Sequence, residues 1–193
     1  VIDNTYSGLN TAIDQKKTTR EIMVGVTQVL TPDDIIQFNI TRSMGSGYFN
    51  DPYKLFDSRP DARNTWIALA RWNHYVEGFD ASLKTSYRYY NDTFGVQSHT
   101  VGVEWVQPMG QWTLTPAARY YSQKAADFFI EPILDAQGNY DTAATMRKTL
   151  LTSGFRSGDQ RLSGFGAITL SFKAAYAINA NTSVDFKIET YRQ

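Results

Sequence analysis

The chain has 193 residues, of which 42% are hydrophobic and 20% charged, and its 19 Lys and Arg balance 19 Asp and Glu. This composition excludes wholesale disorder, and the zero net charge provides no broad basic surface for nucleic acid. The absence of cysteine excludes disulfides, thiolate metal sites and a cysteine nucleophile. The most apolar stretch, AITLSFKAAYAI, contains Lys173 and is shorter than the roughly 20 apolar residues of a membrane-spanning helix.

The dominant hydrophobic period is two, which is typical of β-strands. Near the start of the chain, for example, Ile36, Phe38 and Ile40 alternate with polar residues. The pattern predicts eight strands, several of them about ten residues long, where ordinary soluble strands average about five or six. Their approximate spans are 20–30, 35–43, 64–76, 80–91, 98–107, 111–124, 161–178 and 182–192.

The predicted connections alternate between short and long. Turns rich in Pro, Gly, Asn and Asp lie at 31–34, 77–78, 108–110 and 179–181, and the longer links are 44–63, 92–97 and 125–160. Long strands with short turns at one end and long loops at the other predict an all-β, antiparallel transmembrane β-barrel of the outer-membrane type. The alternative is a soluble β-sandwich or lipocalin-like barrel, which buries its apolar face inside.

The whole chain, 1–193, is interpreted as one barrel domain or a portion of one. Residues 1–19 are expected to end a preceding loop, and 20–193 to form four β-hairpins. A two-residue turn at Glu77-Gly78 would place Trp72 opposite Leu83. A turn near Ala180 would place Tyr176 opposite Val184.

Alternation assigns the strand residues to two faces, apolar outward to lipid and charged inward to a lumen. The predicted lipid-facing residues are Ile36, Phe38, Leu83, Val103, Leu114, Leu170, Phe172, Phe186 and Ile188. The predicted lumen-lining residues are Arg71, Lys84, Arg88, Glu104, Arg119, Lys173, Asp185, Lys187 and Glu189. Aromatic girdles at the two membrane surfaces are predicted from Trp66 near the long loops and from Trp72, Trp105, Trp112 and Tyr176 near the short turns.

Several blocks of sequence resemble the bacterial family named domain of unknown function 3570, whose members are predicted outer-membrane β-barrels. They are REIMVGVTQVLTPDDIIQFNITRSMGSGYFNDPYK, DSRPDAR, SYRYYND, SHTVGVEWVQPMGQWTLTPAARYYSQKAADFF, DQRLSGFGAITL and VDFKIETYRQ. The resemblance implies an outer-membrane location and no particular activity. It also implies further strands before and after this stretch, and hence a barrel larger than eight strands.

The residues give little support for catalysis. His74 and His99 are the only histidines, and His99 follows Ser98 in a strand, where neighbouring side chains point to opposite faces. The loop around Asn50, Asp51, Asp57 and Asp61 carries oxygen ligands but not the spacing of a calcium loop, and turn chemistry explains it better. No zinc, phosphate or nucleotide motif is present, so no cofactor or metal is expected.

These observations favour a non-enzymatic barrel of the bacterial cell outer membrane. We expect it to act as a passage or as a scaffold for an envelope complex, and the 125–160 loop to fold inward as a plug or outward to bind a partner. The expected partners are outer-membrane lipid and other envelope proteins, and no nucleic acid. The alternative is an outer-membrane hydrolase with a loop-side site near His99 and Asp92.

Overall fold

A computed structural model describes residues 5–6, 11–12, 15–54 and 56–193 of the chain. Two short strands, β1 (Thr5–Tyr6) and β2 (Thr11–Ala12), pair with each other. Eight longer strands form one antiparallel sheet in the order β10-β9-β8-β7-β6-β5-β4-β3. They are β3 (Lys17–Val29), β4 (Asp34–Gly47), β5 (Ala62–Val76), β6 (Ala81–Asp92), β7 (Gln97–Met109), β8 (Trp112–Lys124), β9 (Phe165–Asn179) and β10 (Thr182–Arg192).

Each of the eight strands pairs with its sequence neighbour, so the predicted series of hairpins is confirmed. The connections at one end of the sheet are 30–33, 77–80, 110–111 and 180–181, with two to four residues each, and those at the other end are 48–61, 93–96 and 125–164. The two long loops, 48–61 and 125–164, therefore lie at the same end of the sheet. The predicted longer link 92–97 is wrong, because the 93–96 connection has four residues, as many as 77–80. Among the described residues no helix is both long and apolar enough to cross a membrane.

The sheet is open. Strands β3 and β10 lie at its two edges and do not pair with each other, and every residue of both strands is exposed. The expectation that these eight strands do not close on themselves is confirmed. Each edge carries backbone N–H and C=O groups that a further strand is able to pair with.

Several boundaries differ from the sequence prediction, among them the end of β4, which lies at Gly47 rather than at residue 43. Strand β3 begins at Lys17, so the predicted loop 1–19 ends earlier than expected. Strand β9 begins at Phe165 rather than at residue 161, because residues 160–162 form a 3₁₀ turn capped by Asp159. The predicted loop 125–160 also contains a helix, α1 (Thr142–Leu151), whose N-cap Asp141 accepts a hydrogen bond from the backbone N–H of Ala144.

The predicted register of one hairpin is wrong. Trp72 pairs with Thr85, and Leu83 pairs with His74 instead. The turn takes four residues, with a 3₁₀ turn over Glu77–Phe79 and Asp80 at φ 49°, rather than two. The shift is an even number of residues, so every side chain keeps its predicted face. The β9–β10 hairpin has the predicted register, with Tyr176 opposite Val184.

The loop ends of the strands carry the buried core. Phe94, Val96, Ala126 and Leu162 pack together, and partly buried aromatic rings surround them. These four residues all come from the 93–96 link and the 125–164 loop. The connections at this end are thus folded on the sheet rather than extended from it.

Candidate functional site: the charged face of the sheet

Directly paired residues of neighbouring antiparallel strands lie on the same face, so the register divides the strand residues into two sets. All nine predicted lumen-lining residues fall on one face. One row across it, for example, runs Gln37, Arg71, Ser86, Gly102, Arg119 and Thr169. All nine predicted lipid-facing residues fall on the other. The sequence therefore separated the two faces correctly, while the surroundings of each face stay a prediction.

The charged face is concave. A single hollow of about 480 Å³ is lined by residues from Gln37 in β4 to Glu189 in β10, which requires the sheet to curl around this face. Six of the nine predicted lumen residues line it: Arg71, Lys84, Glu104, Arg119, Lys187 and Glu189. Arg88, Lys173 and Asp185 lie on the same face outside the hollow.

The acidic residues of this set are each paired with a lysine. The amino group of Lys84 lies 3.0 Å from Glu104, that of Lys173 lies 3.5 Å from Asp185, and that of Lys187 lies 2.8 Å from Glu189. These pairs are roughly half exposed, so each contributes little to stability. Two of the pairs lie in the hollow and the third lies on the same face outside it, so three carboxylates of the concave face are neutralised by three lysines.

Among the described residues, the hydrogen-bond and ring partners of the three arginines of the set are neutral. Arg71 donates a hydrogen bond to the Gln37 side chain at 3.1 Å, and Arg119 donates to the Thr169 hydroxyl at 3.2 Å. The guanidinium of Arg88 lies over the Tyr90 ring, 5.5 Å from its centroid. The nine predicted residues thus carry three positive charges that no carboxylate of the described chain neutralises by contact.

The opposite face has no charged residue in its middle and is named the uncharged face for this reason. Its large apolar side chains are exposed, as Leu170, Phe186 and Ile188 show at 51%, 69% and 61%. The ionisable residues of this face lie toward the strand ends. Asp34 and His74 are at the short-turn end, and Arg20, Arg42, His99, Lys124 and Arg192 are toward the loop end.

The five predicted girdle aromatics also lie on the uncharged face. Four are at the short-turn end. There Trp72 donates its indole N–H to Asp34, Trp105 donates to Gln107, and Tyr176 packs on Trp112 with ring centroids 4.8 Å apart. Trp66 is at the loop end, with the Arg42 guanidinium 4.6 Å from its ring centroid. Amphipathic rings with a polar partner at each strand end suit a boundary between water and an apolar medium.

The loop bases cover the loop end of the concave face, and Asp92 holds them there. Its fully buried carboxylate accepts hydrogen bonds from Arg63 at 2.6 and 2.8 Å, from Tyr90 at 2.6 Å, and from the backbone N–H groups of Phe94 and Val96. Arg63 also stacks over Phe94, 4.7 Å from its centroid. Because Arg63, Tyr90 and Asp92 all belong to the concave face, the small core lies on this side of the sheet.

A chain of ion pairs joins the two long loops. Asp159, buried in the 125–164 loop, accepts from Arg59 of the 48–61 loop at 2.9 Å and from Arg161 at 2.6 Å. Arg161 also binds Asp51, again at 2.6 Å, and Arg59 Nε lies 2.8 Å from Asp57. Backbone hydrogen bonds between Ser58 and Arg156 add to the junction. The two loops therefore form one cap.

Burial alone would raise the pKa of Asp159, but hydrogen bonds from Arg161 and Arg59 outweigh it and hold the pKa of this carboxyl well below its usual range. The same contact with Asp159 raises the pKa of the Arg161 guanidinium. The Asp159–Arg161 pair is therefore ionised at neutral pH.

The histidines do not form a catalytic group with the predicted acid. His99 lies on the uncharged face, where its Nδ1 is 2.7 Å from the Tyr87 hydroxyl, whereas Asp92 lies on the concave face and is bound by Arg63. His74 Nδ1 lies 2.9 Å from Asp34 at the short-turn end. The expected neighbourhood of His99 and Asp92 is therefore wrong, because adjacent strands carry them on opposite faces.

The acidic loop is engaged in turn chemistry. Asn50 accepts from the backbone N–H of Arg59, Asp51 accepts from that of Tyr53, and Asp57 accepts from that of Asp51. In the described part of the chain no three His, Cys, Asp or Glu side chains are grouped so as to hold a metal ion.

Comparison with known families agrees with the resemblance carried by the sequence blocks. The family model described as protein of unknown function (DUF3570) matches residues 1–193. The chain belongs to this family. No curated protein matches the DUF3570 chain, and no solved structure matches it.

Sequence reasoning missed the neutral members of the hollow in this DUF3570 chain. Ser86 and Gly102 lie between Arg71 and Arg119 in the same cross-strand row. Their signal in the sequence is that both are small residues at positions of long strands that face the charged side. Alternation of polar and apolar residues does not distinguish a small residue at such a position from a large polar one. The role of Asp92 was also missed, although an Asp at the end of a strand followed by Thr-Phe-Gly is a turn signal.

Proposed function

We propose that this chain is part of an outer-membrane β-barrel that serves as a passage for polar solutes, with the two long loops folded across its mouth. The observation that carries the proposal is the sidedness of the curved sheet. Its convex face is apolar and exposed, and its concave face is charged and encloses a hollow. A soluble barrel has the opposite arrangement, with the apolar face inside.

The strand lengths support a bilayer-spanning sheet. Strands β3, β7 and β8 have 13 residues each. Such a strand rises about 43 Å, and a tilt of about 40° leaves about 33 Å along the membrane normal. This height exceeds the apolar band of about 25 Å in known membrane barrels and leaves room for the terminal aromatics and charges in the head-group regions.

The open edges set a condition on the proposal. Unpaired backbone groups cost several kcal/mol each in hydrocarbon, so β3 and β10 must both pair with other strands in a membrane. The complete barrel therefore contains more strands than these eight, and its lumen is wider than the hollow that these eight strands enclose.

Removal of part of the loop cap tests whether the cap restricts the passage. A variant that lacks residues 133–153, joined by a short Gly-Ser linker, removes helix α1 but keeps the Ser58–Arg156 and Phe129–Ser157 bridges. We expect the full-length protein in planar bilayers to conduct weakly and the deletion variant to conduct more. If neither protein conducts, the passage is refuted.

A second function, a scaffold for an envelope complex, is favoured by one observation. The outer part of the 125–164 loop exposes Leu134 (59%), Leu151 (75%) and Phe155 (54%). Leu151→Ser removes an exposed apolar side chain of this surface but keeps the segment at its full length, so it separates loss of the surface from the shortening caused by the deletion. If a co-purifying envelope protein is lost in both variants while conductance is unchanged, the scaffold replaces the passage. If His99→Ala instead abolishes a hydrolytic activity on outer-membrane substrates, both non-enzymatic proposals are wrong.

A further inference from the structure

The hollow has a floor of small residues between two arginines. In the row Arg71, Ser86, Gly102, Arg119 the outer two positions lie three strand spacings apart, which is about 14 Å between backbones in a flat sheet. Both arginines line the hollow and are exposed, and both project from the concave side of the curled sheet. Their guanidinium groups therefore border the same space above Ser86 and Gly102.

The charges of the hollow are arranged to leave these guanidiniums available. Lys84 and Lys187 form ion pairs with Glu104 and Glu189, whereas the hydrogen bonds of Arg71 and Arg119 go to the neutral side chains of Gln37 and Thr169. Arg119 also interacts electrostatically with Glu189, but without an ion-pair contact. A guanidinium presents several N–H donors in a planar fork that matches the oxygens of a carboxylate, sulfate or phosphate. One or two neutral acceptors leave most of those donors unused.

The floor leaves space for a ligand. A Cβ at Gly102 would meet the Ser86 hydroxyl at 2.8 Å and no other side chain or backbone atom within 4 Å. Glycine in a strand interior weakens the strand and is found where another group approaches the backbone closely. The hollow, at about 480 Å³, is within the size range of small-molecule sites.

We propose that this hollow binds a small solute bearing oxyanion groups, held by Arg71 and Arg119 over the Ser86–Gly102 floor. This inference rests on the proposed function in that the bound anion would be the solute that passes through the barrel. It deepens that function by naming the chemical class of the solute, and equilibrium binding tests it separately from conductance.

The test is calorimetric titration of the full-length protein in detergent micelles with citrate as the probe, in buffer free of other multivalent anions. Each of Arg71→Gln and Arg119→Gln should weaken citrate binding about tenfold or more, because each removes charge-assisted hydrogen bonds to the ligand. Glutamine keeps a donor for Gln37 or Thr169, and resistance of the unheated protein to SDS reports that the variant is folded. Arg147→Gln, at an exposed position of α1, removes the same charge elsewhere and should bind citrate as the wild type does.

Gly102→Leu separates a built site from a general positive field. It fills the floor without changing any charge, so citrate binding should be lost while the folded state persists. The proposal is overturned if Gly102→Leu or both arginine variants bind like the wild type, or if Arg147→Gln weakens binding as much as they do. Citrate binding without any conductance would refute the passage and leave the anion site standing. Conductance without citrate binding would refute the anion site and leave the passage standing.

Discussion

Substitution of Leu170 by arginine tests whether the uncharged face meets lipid. Leu170 lies near the middle of the 15-residue strand β9, between Ala118 and Thr190 on the same face, and is 51% exposed. Arginine at the midplane of a membrane barrel costs about 2–4 kcal/mol, which lowers the folding equilibrium constant about 30- to 900-fold. Leu114 is only the third residue of β8, so arginine there should cost less, because the penalty falls toward the membrane surface.

The matched control is Ser171→Arg, the next residue along the strand. Ser171 lines the hollow and pairs with Glu189, so an arginine there faces water and a carboxylate. Its cost should be within about 0.5 kcal/mol of zero. The assay is reversible guanidinium unfolding of the full-length protein in phospholipid vesicles, followed by tryptophan fluorescence. Equal stabilities for the two variants would refute the assignment of the uncharged face to lipid.

Three further outcomes are expected. Asp92→Ala should destabilise the cap by about 2–3 kcal/mol, and the loss stays in this range because Arg63, which is 30% exposed, can be rehydrated. The substitution should also speed proteolysis at 93–96, and an unchanged cleavage rate would contradict the role of Asp92. Because the folded pKa of Asp159 lies below its ordinary value of 3.8, its stabilisation is complete above about pH 4 and is lost as the pH falls toward the folded pKa. The protection factors of the backbone amides of residues 156–163 against hydrogen exchange should therefore fall below pH 4 in the wild type and lose this pH dependence in Asp159→Asn. In vesicles, the backbone amides of β3 and β10 in the full-length protein should exchange as slowly as those of β6, and fast exchange at either edge would show that the edge is not paired.

The sequence was sufficient for the strands and their faces because a half-buried strand repeats every two residues. A slip of two residues, as in the hairpin of Trp72 and Thr85, preserves that repeat. Alternation therefore cannot detect such a slip, and the turn decides the register. In the turn at residues 77–80, Asp80 is the residue in the left-handed region. The sequence instead predicts a two-residue turn at Glu77-Gly78, because glycine is the residue that usually takes this conformation.

The cap was beyond the reach of sequence patterns because its contacts are distant along the chain. Asp51 and Arg161 are 110 residues apart, and Arg59 and Asp159 are 100 apart. No periodicity relates such residues. Helix α1 has a local signal, the capping residue Asp141 before TAATMRKTLL, but this segment lacks a strong apolar stripe, so the sequence pattern predicts a loop there.

The glycines of the concave face show why Gly102 differs from its neighbours. A Cβ at Gly25 would collide with the Asn39 side chain, and a Cβ at Gly45 would come within 2.8 Å of the Phe49 ring. Curvature crowds side chains on the inside of a sheet, and at these two positions a neighbouring side chain fills the space that glycine leaves. At Gly102 only the Ser86 hydroxyl, a small group free to rotate, lies within 4 Å. Crowding thus accounts for Gly25 and Gly45, whereas the open floor at Gly102, flanked in its row by Arg71 and Arg119, is accounted for by the proposed oxyanion ligand, whose approach a larger side chain would block.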